Sequence, residues 1–207
     1  MPRSNNSGSD QCALHSCASN CRMWQCAIVA IVLLALVHIP VLQAQQPKVS
    51  EYQVKATYLY NFGRFVHWSP NATATKGDSF SICVLGQDPF GPTLDSTLVG
   101  ETLDGKPLAV KRISTPREAG ECRILFVSLT EEHHLKEILA ATDQAGVLTV
   151  SDIPGFSRRG GMIQFVMEGD RVRFEINLAT AESAKLVLSS ELLKVAAAVR
   201  RNTRSGD

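Results

Sequence analysis

Between residues 147 and 195 the pattern of hydrophobic and polar positions changes period. Met162, Gln164 and Val166 fall on one side of an alternating run, and Ile163, Phe165 and Met167 on the other. Val172, Phe174 and Ile176 then alternate with Arg171, Arg173, Glu175 and Asn177. A period of two over neighbouring runs predicts a strand pair. Glu168, Gly169 and Asp170 supply the turn, and Gly160-Gly161 a permissive backbone ahead of it. Beyond the hairpin the spacing turns helical over Ala179–Leu186 and Ser190–Arg200, with Ser190 as N-cap and Arg200 and Arg201 near the far end.

Upstream, Val54, Tyr58, Leu59, Phe62, Phe65 and Val66 recur at helical spacing until Ser69-Pro70 ends the pattern. This aromatic helix suits either a sheet or a docked partner. A polar loop over 71–78 precedes a strand at Phe80–Leu85, a helix near Gly91–Leu98, and strands at Leu108–Ile113 and Cys122–Ser128. A helix over Glu131–Thr142 and a strand at Gly146–Val150 follow. Strands alternating with helices predict an α/β fold: a single layered domain with a central mixed β-sheet flanked by helices and a late antiparallel hairpin.

The amino terminus stands apart. A Ser/Asn-rich opening leads into the apolar run Ala27–Val37, then His38, Pro40 and Ala44. That run is shorter than the roughly 20 residues a spanning helix needs and suits an export signal over residues 1–44, followed by one domain over 45–207. An uncleaved anchor over residues 26–42 is the alternative. Removing residues 1–44 takes away Arg3, Arg22 and Asp10 and leaves the charges balanced, so neither nucleic acid nor anionic lipid is an expected partner.

Candidate chemistry is sparse. Cys12, Cys17, Cys21 and Cys26 lie in or before the signal with no zinc or haem spacing. Cys83 and Cys122 remain, each at a strand, and in an oxidising compartment they suggest one disulfide, two buried thiols being the alternative. His133 and His134 are adjacent on a helix, so they diverge and do not chelate one ion together. Gly86–Gly91 follows a strand and precedes a helix as a nucleotide turn does, but it lacks Gly-x-Gly-x-x-Gly and a Lys-Ser/Thr pair, and Pro89 and Pro92 interrupt its amides. Asp152 sits at a strand's carboxyl end, where α/β proteins place functional groups, yet Ser151-Asp152 also makes a turn. No nucleophile, base and acid fall into a catalytic order, so an enzyme is not expected. A small-ligand site near Gly86–Gly91 or Asp152 is the runner-up reading.

Eight segments in order carry a family resemblance. They begin at Val54 (VKATYLYNF), Phe65 (FVHW), Ile82 (ICVLGQDPFG), Cys122 (CRILFV), Leu148 (LTVSD), Gly160 (GGMI), Arg173 (RFEIN) and Leu188 (LSSELLK). From Glu51 to Val199 the chain resembles the YfiR family. The resemblance implies a periplasmic regulator that binds the periplasmic sensor domain of an inner-membrane diguanylate cyclase and lowers cyclic-di-GMP signalling. Release would involve an outer-membrane, peptidoglycan-binding lipoprotein and redox stress. Cys83 and Cys122 match the family's cysteine pair, which strengthens the disulfide. A second pair found in some relatives is replaced here by Ser157 and Gln164. The resemblance places the partner-binding surface at Phe156, Met162, Ile163, Glu175 and Ala181. A second copy of the chain is a further candidate partner, and no cofactor or metal is expected.

Overall fold

In the computed structural model, residues 50–69, 78–143 and 145–201 are described. The expected signal or anchor, its four cysteines and nearly all of the loop 71–78 lie outside the described residues.

Helix α1 (Glu51–Phe65) starts where Ser50 accepts a hydrogen bond from the Gln53 amide. Its buried stripe of Ala56, Leu59 and Phe62 lies against the sheet. The chain turns extended at Val66, so Val66–Trp68 forms strand β1 instead of the helical end its spacing predicts. β1 pairs antiparallel with β9 (Leu186–Leu188), which takes up the last residue of one predicted helix and part of the gap before the next. The remaining strands are β2 (Phe80–Leu85), β3 (Thr102–Leu103), β4 (Lys106–Ile113), β5 (Ile124–Val127), β6 (Leu148–Ser151), β7 (Ile163–Glu168), β8 (Arg171–Asn177) and β10 (Ala198–Arg200). They form one mixed sheet in the order β10-β8-β7-β6-β5-β2-β4-β3. Strands β4, β2, β5, β6 and β7 run parallel, and the β7–β8 hairpin is antiparallel. The expected fold class is therefore the observed one, and Glu168 faces Arg171 across a turn at Gly169 and Asp170.

Helices α2 (Pro92–Leu98), α3 (Leu135–Thr142), α4 (Leu178–Ser183) and α5 (Ser190–Val195) complete the domain, with 3-10 turns at Pro116–Glu121 and Leu129–His134. Alternation on the central strands divides the core. Phe80, Ile82, Val84, Ile124, Phe126 and Val150 pack with α1, α2, α4 and α5, while Cys83, Leu85, Leu125 and Val127 pack with α3 and Phe156. Cys83 and Cys122 are bonded on the α3 side, their Cα atoms 5.9 Å apart and both residues fully buried, so the free-thiol alternative does not hold. Two late helices end sooner than predicted: α4 stops at Ser183, and α5 stops at Val195. Ser189, not Ser190, caps α5 by accepting from Leu192 N–H.

Candidate functional site

The carboxyl ends of the parallel strands are occupied by side chains that satisfy one another. After β2, Asp88 and Asp95 both bind Arg112 of β4, which also donates to the Gly91 carbonyl. The paired guanidinium holds the Asp95 carboxyl below the ordinary carboxylate range. The turn therefore presents two carboxylates clamped by one arginine, a poor place for a phosphate. After β6, Asp152 accepts from Lys55 Nζ at 2.7 Å and from the Tyr52 hydroxyl at 3.0 Å. Lys55 is 3 % exposed and also bonds Glu51, while its ammonium lies 4.4 Å from the Tyr52 ring. Burial, then the neighbouring Asp152 charge, raises the Tyr52 pKa, so its hydroxyl stays a donor. Asp152 thus does more than make a turn: it joins β6 to the start of α1. Lys55 went unremarked in the sequence, although a cation three residues after Tyr52 and four before Leu59 sits on the helix's apolar stripe.

Replacing Asp152 by alanine leaves a buried ammonium with only the half-exposed Glu51 as partner. The expected loss of stability is about 2 kcal/mol, read from the urea midpoint at unchanged slope. In a Lys55→Met background the same substitution should cost much less; equal losses in the two backgrounds would refute the coupling.

At the hairpin, Ser157 N–H and Oγ both reach Gln164 Oε1, at 3.1 and 3.3 Å. Ser157 Oγ also reaches Glu175 Oε2 at 2.8 Å, and Asn177 Nδ2 donates to the Ser157 carbonyl. Ser157 and Gln164, the positions expected to replace a second cysteine pair, are thus neighbours in space, joined by hydrogen bonds. Of the expected partner-binding residues, Phe156, Ile163 and Ala181 are fully buried and Met162 is 3 % exposed. In this conformation those four side chains pack the interior and support the surface from beneath. Glu175 alone among the five brings polar atoms near solvent, where Arg200 stands 3.9 Å away. Alternation indicates that one of Met162 and Ile163 faces inward; both do, because β7 is covered on its two faces at that end.

Beside the hairpin, α1 and α5 leave a groove of about 270 Å³ over Phe174. Tyr58, Phe62, Phe65, Leu192 and Val195 line it, and Asn61, Arg64 and Glu191 flank it. Val195 is 57 % exposed. Among the described residues no group of three or more His, Cys, Asp or Glu side chains could hold a metal, and no helix is long and apolar enough to cross a membrane.

A family model described as YfiR/HmsC-like matches residues 52–197. No curated protein matches the chain. Among solved structures, a conserved domain protein from Vibrio cholerae is similar at 12% identity with a TM-score of 0.51, covering 73% of this chain and 60% of that one. An ABC domain in complex with L-Trp from Streptococcus pneumonia gives 11% identity and a TM-score of 0.45, covering 72% and 60%. The chain thus spans about 60% of the length of each.

Proposed function

The chain belongs to the YfiR/HmsC-like family, and from that membership we propose that it acts in the periplasm as a repressor, binding the periplasmic sensor domain of an inner-membrane diguanylate cyclase and holding cyclic-di-GMP synthesis low. The family match over residues 52–197 carries this reading. The Cys83–Cys122 bridge supports an oxidising compartment. The contact face is the late hairpin around Glu175, shaped from below by Phe156, Met162, Ile163 and Ala181. The self-satisfied ion pairs at the strand carboxyl ends favour protein contact over a small ligand there. An outer-membrane, peptidoglycan-binding lipoprotein is the releasing partner. Hydrogen bonds stand where some relatives carry a second cysteine pair, so release here does not depend on thiol exchange at Ser157 and Gln164.

Deleting the gene should raise cellular cyclic-di-GMP and biofilm, with both restored by a copy on a plasmid. An unchanged nucleotide level in a strain that expresses the cognate cyclase counts against the proposal.

A further inference from the structure

Trp68 ends β1 with its ring edge-on to Phe80 at the start of β2, centroids 5.3 Å apart. Arg123, just before β5, brings its guanidinium carbon to 5.6 Å from the Trp68 ring and 5.7 Å from the Phe80 ring. The residue is only 8 % exposed. Two aromatic rings give a guanidinium a stacking surface but no acceptor for its five N–H groups. Among the described residues none of those N–H groups meets a carboxylate, carbonyl or hydroxyl oxygen at hydrogen-bond distance. Beside it, Trp68 Nε1–H is buried and also lacks a partner. Among the described residues Trp68 Nε1–H is the buried side-chain donor left without a partner, and beside it stands a guanidinium that has no acceptor of its own and keeps contact with solvent, so an acceptor arriving from solvent could answer both. Burial lowers the Arg123 pKa and the charge of Asp104 opposes that, but Asp104 forms no ion pair with it.

We propose that Trp68, Phe80 and Arg123 form a recognition site for a carboxylate, the guanidinium fork taking both oxygens and the indole N–H adding a third bond. One cation matches one monoanion in charge, and the planar fork matches a planar carboxylate. A phosphate dianion would leave excess negative charge near Asp104. The site is independent of the regulatory reading, and either stands if the other fails.

The test uses the full chain labelled with nitrogen-15. Its two tryptophans, Trp24 and Trp68, give two indole resonances, and Trp68→Phe identifies one of them. Titration with acetate at constant ionic strength should shift the Trp68 resonance saturably. Arg123→Gln should weaken that binding at least about tenfold, as loss of a charge-assisted pair does. Arg123→Lys keeps the charge without the fork, should also weaken binding, and serves if the glutamine variant fails to fold. A capped glutamate that binds more tightly than acetate assigns a protein-borne carboxylate; the reverse order assigns a small free acid. The proposal is overturned by any of three results: no shift with either probe, equal affinity in the Arg123 variants, or tighter binding of phosphate.

Discussion

Replacing Cys83 and Cys122 together by alanine lowers the free energy of unfolding by about 4 kcal/mol. The two residues are 39 positions apart, and opening a loop of that length returns roughly this much chain entropy to the unfolded state. Their Cα separation of 5.9 Å lies where an unforced bridge falls, so no relief of strain offsets the loss. Alanine at both sites avoids a single buried thiol left beside a polar replacement. Urea unfolding of both forms under non-reducing conditions measures the difference. Coincident midpoints would show that the bridge contributes nothing to stability. Both cysteines are fully buried, so a reductant acts only as fast as the α3 side of the core opens.

Phe156→Ala is the second large effect, at about 3–5 kcal/mol. The ring is fully buried on the α3 side of the sheet, and Gly161 passes directly beneath it. A methyl group added at Gly161 would overlap the Phe156 ring itself, whose confined position leaves it no free direction to move. Gly161→Ala is therefore expected to cost about 1–3 kcal/mol or more without removing a single atom. This pair separates two roles for Phe156. A residue that touches a partner would lose binding while the unfolding midpoint stayed put; a core residue loses the midpoint first. Circular dichroism during urea unfolding decides between them, and a Phe156→Ala midpoint within experimental error of wild type would place the ring outside the core.

The late hairpin is legible because one pleat covers Val172, Phe174 and Ile176 while the intervening charges face outward. The buried strands β2 and β5 announce themselves as short apolar runs. The three-residue strands are another matter. Val66–Trp68 continues a helical spacing too briefly for a change of period to register. Ala196-Ala-Ala has high helical propensity, yet Ala197 N–H donates to the Phe174 carbonyl and opens the parallel pairing of β10 with β8. Pairing with an existing sheet outweighs a few tenths of a kcal/mol of propensity per residue. The site was less legible than the fold. Phe156, Met162, Ile163 and Ala181 read as candidate surface through the family resemblance, and period-two alternation could not correct this because it assigns faces without saying that a loop and helices cover both of them. Lys55, Tyr52 and Asp152 meet across about 100 positions, a distance at which local pattern is silent.

The partners of α1 also bear on the order in which the chain can fold as it is made. Tyr58 meets Phe165 and Phe174, Lys55 meets Asp152, and β1 completes its pairing only with Leu186–Leu188. The first described helix therefore gains β2 and α2 soon after it is made, but emerges from the ribosome long before the hairpin and the carboxyl-terminal strands that cover the rest of its aromatic face. A chain halted before Leu186 presents Phe65 and β1 without β9 or α5, and holding the aromatic stripe of α1 apart from other chains falls to chaperones until the carboxyl-terminal strands are released.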